Sequence, residues 1–135
     1  MPASITVNLP VENVAASVAY YEALGFTRDP AFAQDTMVGI GISEAIRVMV
    51  FTRETFESLS LRPVPDPRKQ IQCFHGLSCD SRAAVDAIAD AAIAAGGSQH
   101  SPADDYEFMY SRPIADLDGH VWNYIWMDGG KLQAD

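Results

Sequence analysis

Apolar and polar positions alternate along this chain, lengthen their period, and alternate again, and the succession of periods predicts its elements. Ile5, Val7 and Leu9 alternate with Thr6 and Asn8, the period-2 signature of a strand over residues 4–9, and Pro10, lacking an N–H, is expected to end its pairing. Val14, Val18 and Tyr21 then fall at helical spacing, with Asn13 placed to cap a helix and Gly25 to stop it after Leu24. Alternation returns over 26–33, 36–42 and 46–52, three strands separated by turns at Gln34-Asp35 and Ser43-Glu44. The first part of the chain therefore reads βαβββ.

Residues 53–61 are assigned to no element, and 62–68 contain Pro63, Pro65 and Pro67, which neither a helix interior nor a central strand accommodates. After this break the succession starts again. Residues 70–78 read as a strand, Asp80-Ser81 as a cap, 82–95 as a helix closed by Gly96-Gly97, and stretches near 98–100, 108–115 and 120–127 as three more strands. The two parts share element order at a period of about sixty-five residues, with little residue identity. They are expected to be modules of one domain spanning 1–135: about 4–60, a linker at about 61–69, and about 70–130.

The last of these strands is the most informative. Asp118-Gly119 is a turn dipeptide, because glycine takes positive φ without a Cβ clash and the Asp side chain can bond the backbone beyond it. Val121, Asn123 and Ile125 then share one face, and Trp122, Tyr124 and Trp126 the other, which needs cover from helices or a partner. Asn123 is a polar residue among aliphatic neighbours. It is either paired in a core or exposed in a lined cavity.

Composition narrows the function classes. With 135 residues, 48% of them hydrophobic, the chain can bury the core of one domain. A formal net charge of −9 repels nucleic acid and anionic membrane surfaces, and the loose cluster of Arg62, Arg68 and Lys69 is interrupted by Asp66, so neither partner is expected. Cys73 and Cys79 would lie on one strand face about 20 Å apart, too far to bond each other. Two buried thiols, no signal peptide and no long apolar run fit a reducing cytoplasm. No Cys-x-x-Cys, Gly-x-Gly-x-x-Gly, phosphate loop or serine-nucleophile elbow supports covalent or nucleotide chemistry.

Several local patterns, in this order and spacing, carry a resemblance: Leu9-Pro10-Val11-Glu12-Asn13 leading into Ser17-Val18-Ala19-Tyr20-Tyr21 and Leu24-Gly25-Phe26, then Ala95-Gly96-Gly97, then Asp116-Leu117-Asp118-Gly119 with Trp122. Nearly the whole chain resembles the vicinal oxygen chelate superfamily of glyoxalases, bleomycin-resistance proteins and extradiol dioxygenases. It looks closest to small bacterial glyoxalase-like proteins described as predicted lactoylglutathione lyases, notably in Phe108-Met109-Tyr110 and Trp126-Met127-Asp128. The resemblance implies an α+β fold of two βαβββ modules forming an incompletely closed barrel around a cavity, and a homodimer.

In metal-dependent relatives four residues hold a divalent ion, and the motifs carry those positions onto Thr6, Val50, Phe74 and Asn123. Val50 and Phe74 have no donor atoms. A one-residue shift would bring Met49 and His75, but period 2 puts His75 on the opposite sheet face, where a satisfied histidine under the helix is expected. No cofactor is therefore expected, and zinc, nickel or manganese only if a lyase reading holds. His120 is expected in a turn or at an edge, and His100 in solvent.

The inward residues of the implied barrel would be Thr6, Asn8, Phe74, Gly76, Ser78 and Asn123, with Tyr106, Met109, Tyr110 and Arg112 at its mouth or wall. Asn8 and Asn123 are either ligand-facing amides or a core pair bonded to each other. Asp104, Asp105 and Glu107 offer carboxylates near the mouth or a solvated loop. Two function classes follow: a metal-independent small-molecule-binding protein of the bleomycin-resistance type, or a glyoxalase-type lyase or isomerase that needs a metal to stabilise an enediolate.

Overall fold

A computed structural model describes residues 3–132, and the chain divides into two compact units, residues 3–69 and 70–132. In the first, β1 (Ile5–Val11) leads into α1 (Val14–Ala23), and β2 (Thr27–Gln34), β3 (Met37–Gly41) and β4 (Ile46–Thr52) complete a sheet of order β1-β4-β3-β2. The first and last strands pair in parallel, Ile5 opposite Ile46 through Val11 opposite Thr52. Asn13 caps α1, its side chain accepting from the Ala16 N–H at 2.9 Å. Under α1, Val48, Val50 and Ile40 are fully buried at alternate sheet positions, with Val18, Tyr20 and Tyr21 above them.

The second unit repeats the arrangement. Strand β5 (His75–Ser78) precedes α3 (Arg82–Ala94), and β6 (Ser98–Gln99), β8 (Met109–Ala115) and β9 (Val121–Met127) give the order β5-β9-β8-β6, with β5 parallel to β9. Ser81 caps α3 as Asn13 caps α1, accepting from the Ala84 N–H at 3.0 Å. The helix stops match bond for bond: the Phe26 N–H reaches back to Tyr21 and that of Gly97 to Ala92, while those of Gly25 and Gly96 reach Glu22 and Ile93. That paired pattern needs a left-handed residue, and Gly25 and Gly96 stand at φ +97° and +111°. Val85, Ala89 and Ala92 of α3 pack over Ile114, Trp122 and Tyr124, so the aromatic face of β9 is covered from within.

The α+β class and the two repeated modules match the sequence expectation, and four details correct it. Pro10 does not end β1 but lies inside it opposite Phe51; β1 is an edge strand with a single ladder partner, where a residue without an N–H is tolerated. Residues 53–60 form α2 (Arg53–Ser60), capped by the Thr52 side chain, with an Arg53–Glu57 ion pair at 3.0 Å and Phe56 against Phe51. Residues 70–74 are not strand, because β9 begins at Val121 and offers no backbone for them to pair with. Cys73 is consequently exposed rather than buried, and Cys79 is only half-buried.

The second strand of the second module is split. Both β6 and a short β7 (Asp104–Tyr106), which the sequence did not announce, pair with β8. The corresponding β2 stays continuous but shifts register between Asp29 and Ala33. A short α4 (Gly129–Leu132) follows β9, and among the described residues no helix is long and apolar enough to cross a membrane.

Leu61 ends α2 at φ +60°, a left-handed conformation in which a Cβ crowds the backbone, and it is 88% exposed. Leu61→Gly is expected to raise the unfolding free energy by about 1 kcal/mol, visible as a higher Tm. A lower Tm would show that the Leu61 side chain packs.

Candidate functional site

Period 2 gives the second sheet two unlike faces. Towards α3 point His75, Tyr110, Arg112, Ile114, Trp122 and Tyr124. The Arg112 guanidinium donates to Asp86 at 3.1 Å, Asp90 at 2.8 Å and Gln99 at 3.1 Å, and the Tyr110 hydroxyl donates to Asp86 at 2.7 Å. These bonds hold the Tyr110 pKa above and the Asp86 pKa below their ordinary ranges. Tyr110 and Arg112, expected at the mouth or wall of a cavity, tie α3 to its sheet, because the carboxylates of α3 lie on that side.

The opposite face carries Asn123. The ladder places Gly76 beside Asn123 and Pro113 beyond it, and the next row runs Ser78, Ile125, Ser111. The Asn123 Oδ1 and the Ser111 Oγ are both buried with no hydrogen-bond partner, and Ser111 is fully buried. They are diagonal neighbours on adjacent strands, close enough for one small molecule to span. A β-carbon built on Gly76 meets nothing within 4 Å, so space stands open in front of β5 beside the amide. Gly76, Ser78, Met109 and Tyr106 lie on the Asn123 side, with Tyr106 exposed and stacked on Phe108 at 5.8 Å.

Ser111 was not anticipated. Its signal was the alternation Met109, Ser111, Pro113, Ala115, which fixes its face only once the register to Asn123 is known. Phe74 is 61% exposed and precedes β5, so it lines no strand face.

In the first module Thr6 and Asn8 are exposed on the face away from α1. Val50 sits on the α1 face at 0% exposure, and the β4 residue on the side of Thr6 and Asn8 is Met49, opposite Asn8. Two neutral oxygen donors, a thioether and a phenyl ring do not make a site for a borderline or hard divalent cation, and among the described residues no group of three or more His, Cys, Asp or Glu could hold one.

His75 lies against Trp122, ring centroids 4.8 Å apart, on the helix-covered side as expected. Burial pushes its pKa down, the neighbouring His120 pushes the same way, and Asp116 opposes them. Asp116 anchors the turn: its buried carboxylate accepts the N–H groups of Asp118 and His120, each at 2.9 Å, and Gly119 stands at φ +100°. That turn sets where β9 starts, and so which face receives Asn123.

Paired βαβββ modules, each closed by a parallel first and last strand, define a glyoxalase-type fold. The family model of the Glyoxalase/Bleomycin resistance protein/Dioxygenase superfamily matches residues 4–124, and the chain belongs to that superfamily. Among solved structures it is similar to a hypothetical protein from S. aureus, at 25% identity and TM-score 0.78, over 93% of this chain and 94% of that one. It also resembles a glyoxalase/bleomycin resistance protein/dioxygenase family enzyme from Burkholderia phytofirmans, at 18% identity and TM-score 0.76, over 90% and 96% of the two chains. A glyoxalase-related enzyme from Fulvimarina pelagi aligns at 20% identity and TM-score 0.73, over 93% and 87%. No curated protein matches the chain.

Two predictions follow from this side-chain arrangement. Arg112→Met is expected to cost about 1–3 kcal/mol of stability, from the loss of charge-assisted bonds to α3, measured by urea unfolding; an unchanged midpoint would return Arg112 to the binding residues. His75 titrates below its ordinary value in the folded chain, so on acidification the unfolded chain takes up that proton first. Stability is then full above about pH 6.5 and declines as the pH falls towards the folded pKa. In His75→Phe the fall in Tm between neutral and acidic pH should be shallower, and an identical slope would remove His75 from the account.

Proposed function

We propose that this protein is a metal-independent small-molecule-binding protein of the bleomycin-resistance type, acting as a homodimer in a reducing cytoplasm. The observation that carries the reading is the pair of unbonded buried oxygens, Asn123 Oδ1 and Ser111 Oγ, on the face away from α3. A buried polar atom without a partner costs about 1–3 kcal/mol, and a ligand that hydrogen-bonds it recovers that cost on binding. The fitting ligand presents an N–H or O–H donor to the amide oxygen and a second polar group to the serine hydroxyl. Its apolar part lies along Ile125 and Met109, the usual division of a small-molecule site into few polar and many apolar contacts. A glyoxalase-type lyase would need a cation to polarise adjacent oxygens, and Thr6 and Asn123 supply only uncharged ones.

Asn123→Leu tests the reading directly. Removal of an unsatisfied acceptor should leave unfolding free energy unchanged or raise it by up to about 1–3 kcal/mol. Affinity for phenolic and aromatic amide probes, followed by the fluorescence of Trp122 and Trp126, should fall by about tenfold or more. A destabilised variant that still binds would assign Asn123 to the core. Stoichiometric zinc, nickel or manganese in protein purified without added metal, lost to a chelator together with an activity, would overturn the metal-independent reading.

A further inference from the structure

The first module holds a polar recess of about 300 Å³, separate from the residues that carry the proposed function. It runs across the end of the sheet where β1, β2 and β4 begin and the β3–β4 connection lies, on the face away from α1. One row across the ladder supplies its floor: Thr6 on β1, Arg47 on β4, Gly41 on β3 and Thr27 on β2. Gly41 leaves that floor bare. A β-carbon there would meet only the Thr27 carbonyl oxygen, at an ordinary 3.7 Å, so the missing side chain is spare room and not a packing requirement.

Arg47 and Asp29 are held in place before any ligand arrives. Arg47 Nη2 bonds Asp29 Oδ2 at 3.0 Å, and the guanidinium lies over the Phe32 ring at 5.2 Å. The other Asp29 oxygen accepts the Ala31 N–H at 2.9 Å. Arginine has five N–H donors in a fixed fork, so Arg47 keeps an unbonded edge that matches a carboxylate, while each Asp29 oxygen keeps a lone pair. Glu44 lies at the lip and makes no ion pair among the described residues, whereas Arg28 is already bonded to Glu22 at 3.1 Å.

We propose that this recess binds a small zwitterion of the α-amino-acid class. Its carboxylate sits on the open edge of Arg47 beside the Thr27 hydroxyl, and its ammonium lies between Asp29 and Glu44. A simple anion would meet both of those carboxylates in a chain of net charge −9, and a simple cation would compete with Arg47 for Asp29. A zwitterion meets an opposite charge at each end. The volume stands at the low end of small-molecule sites, which suits a ligand of single amino-acid size.

Calorimetric titration of the full chain with free amino acids, their N-acetyl derivatives and their methyl esters tests this. Free amino acids should bind saturably, and both blocked forms about tenfold or more weakly. Arg47→Met and Asp29→Asn should each weaken binding by a similar factor, while Asn123→Leu should not, which separates failure here from failure of the function proposed above. Gly41→Val fills the floor and leaves the ion pair intact. It should also weaken binding in a chain with an unchanged far-ultraviolet spectrum, and this keeps the test valid if a charge variant does not fold. Absence of saturable binding by any free amino acid up to about 10 mM, equal binding of the N-acetyl forms, or undiminished binding to a folded Gly41→Val would each overturn the proposal.

Discussion

Each module is closed by a parallel pairing of its first strand with its last, and the positions of both candidate sites depend on that pairing. Parallel strands cannot be joined by a tight turn, so the chain must cross over, and here α1 and α3 make the crossings and cover one sheet face each. Once the ladder is set, its rows are fixed: Thr6 beside Arg47, and Gly76 beside Asn123. A shift of one residue would send Asn123 under α3 and Trp122 into the open. The buried Trp122 and Tyr124 resist that shift, since exposing either gives up about 1.5–3 kcal/mol of apolar burial.

The helix-covered faces hold the core, and Arg112 and Tyr110 are bonded there to carboxylates of α3. Arg112 shows how a cation is kept in such a place: its side chain is only 14% exposed, and two carboxylates and an amide oxygen meet its donors. Arg82, the first residue of α3, works outward from the same side. It bonds Asp105 at 2.6 Å and the Tyr106 carbonyl, and lies over the Tyr110 and Trp126 rings at 5.3 and 5.2 Å. That set of contacts fastens the β7–β8 hairpin to the helix start. On the face away from α3, by contrast, the Asn123 Oδ1 and Ser111 Oγ have no hydrogen-bond partner.

Helix ends were legible in the sequence because capping is local chemistry: Asn13, Ser81, Gly25 and Gly96 act within a few residues of themselves. The face of Asn123 was legible because aromatic and aliphatic residues alternate cleanly along β9. The run from Ile46 to Thr52 was harder, since Val48, Met49, Val50 and Phe51 are all apolar and period 2 has no phase there; only the pairing of Arg47 with Asp29 shows which side is polar. Residues 70–74 have the composition of a strand but find no partner, and strand propensity says nothing about whether a partner exists. Arg112 reads equally well as a pocket residue or as a bridge to helical carboxylates until α3 is placed.

The amide at position 123 is best understood through what the chain lacks. In metal-dependent relatives a carboxylate stands there, and a carboxylate on that sheet face would need a cation to offset its burial. This chain offers Val50 on the wrong face, Met49 on the right one, and a phenyl ring outside the strand at position 74, so the cation would have few donors to hold it. A charged residue at 123 would then be buried against nothing. Asn123 keeps the shape and the acceptor of a carboxylate while shedding the charge, which reduces the cost of an unfilled site to that of one missing hydrogen bond. On the proposed function, that position would recognise a donor group by hydrogen-bond direction in place of adjacent oxygens drawn to a metal's charge.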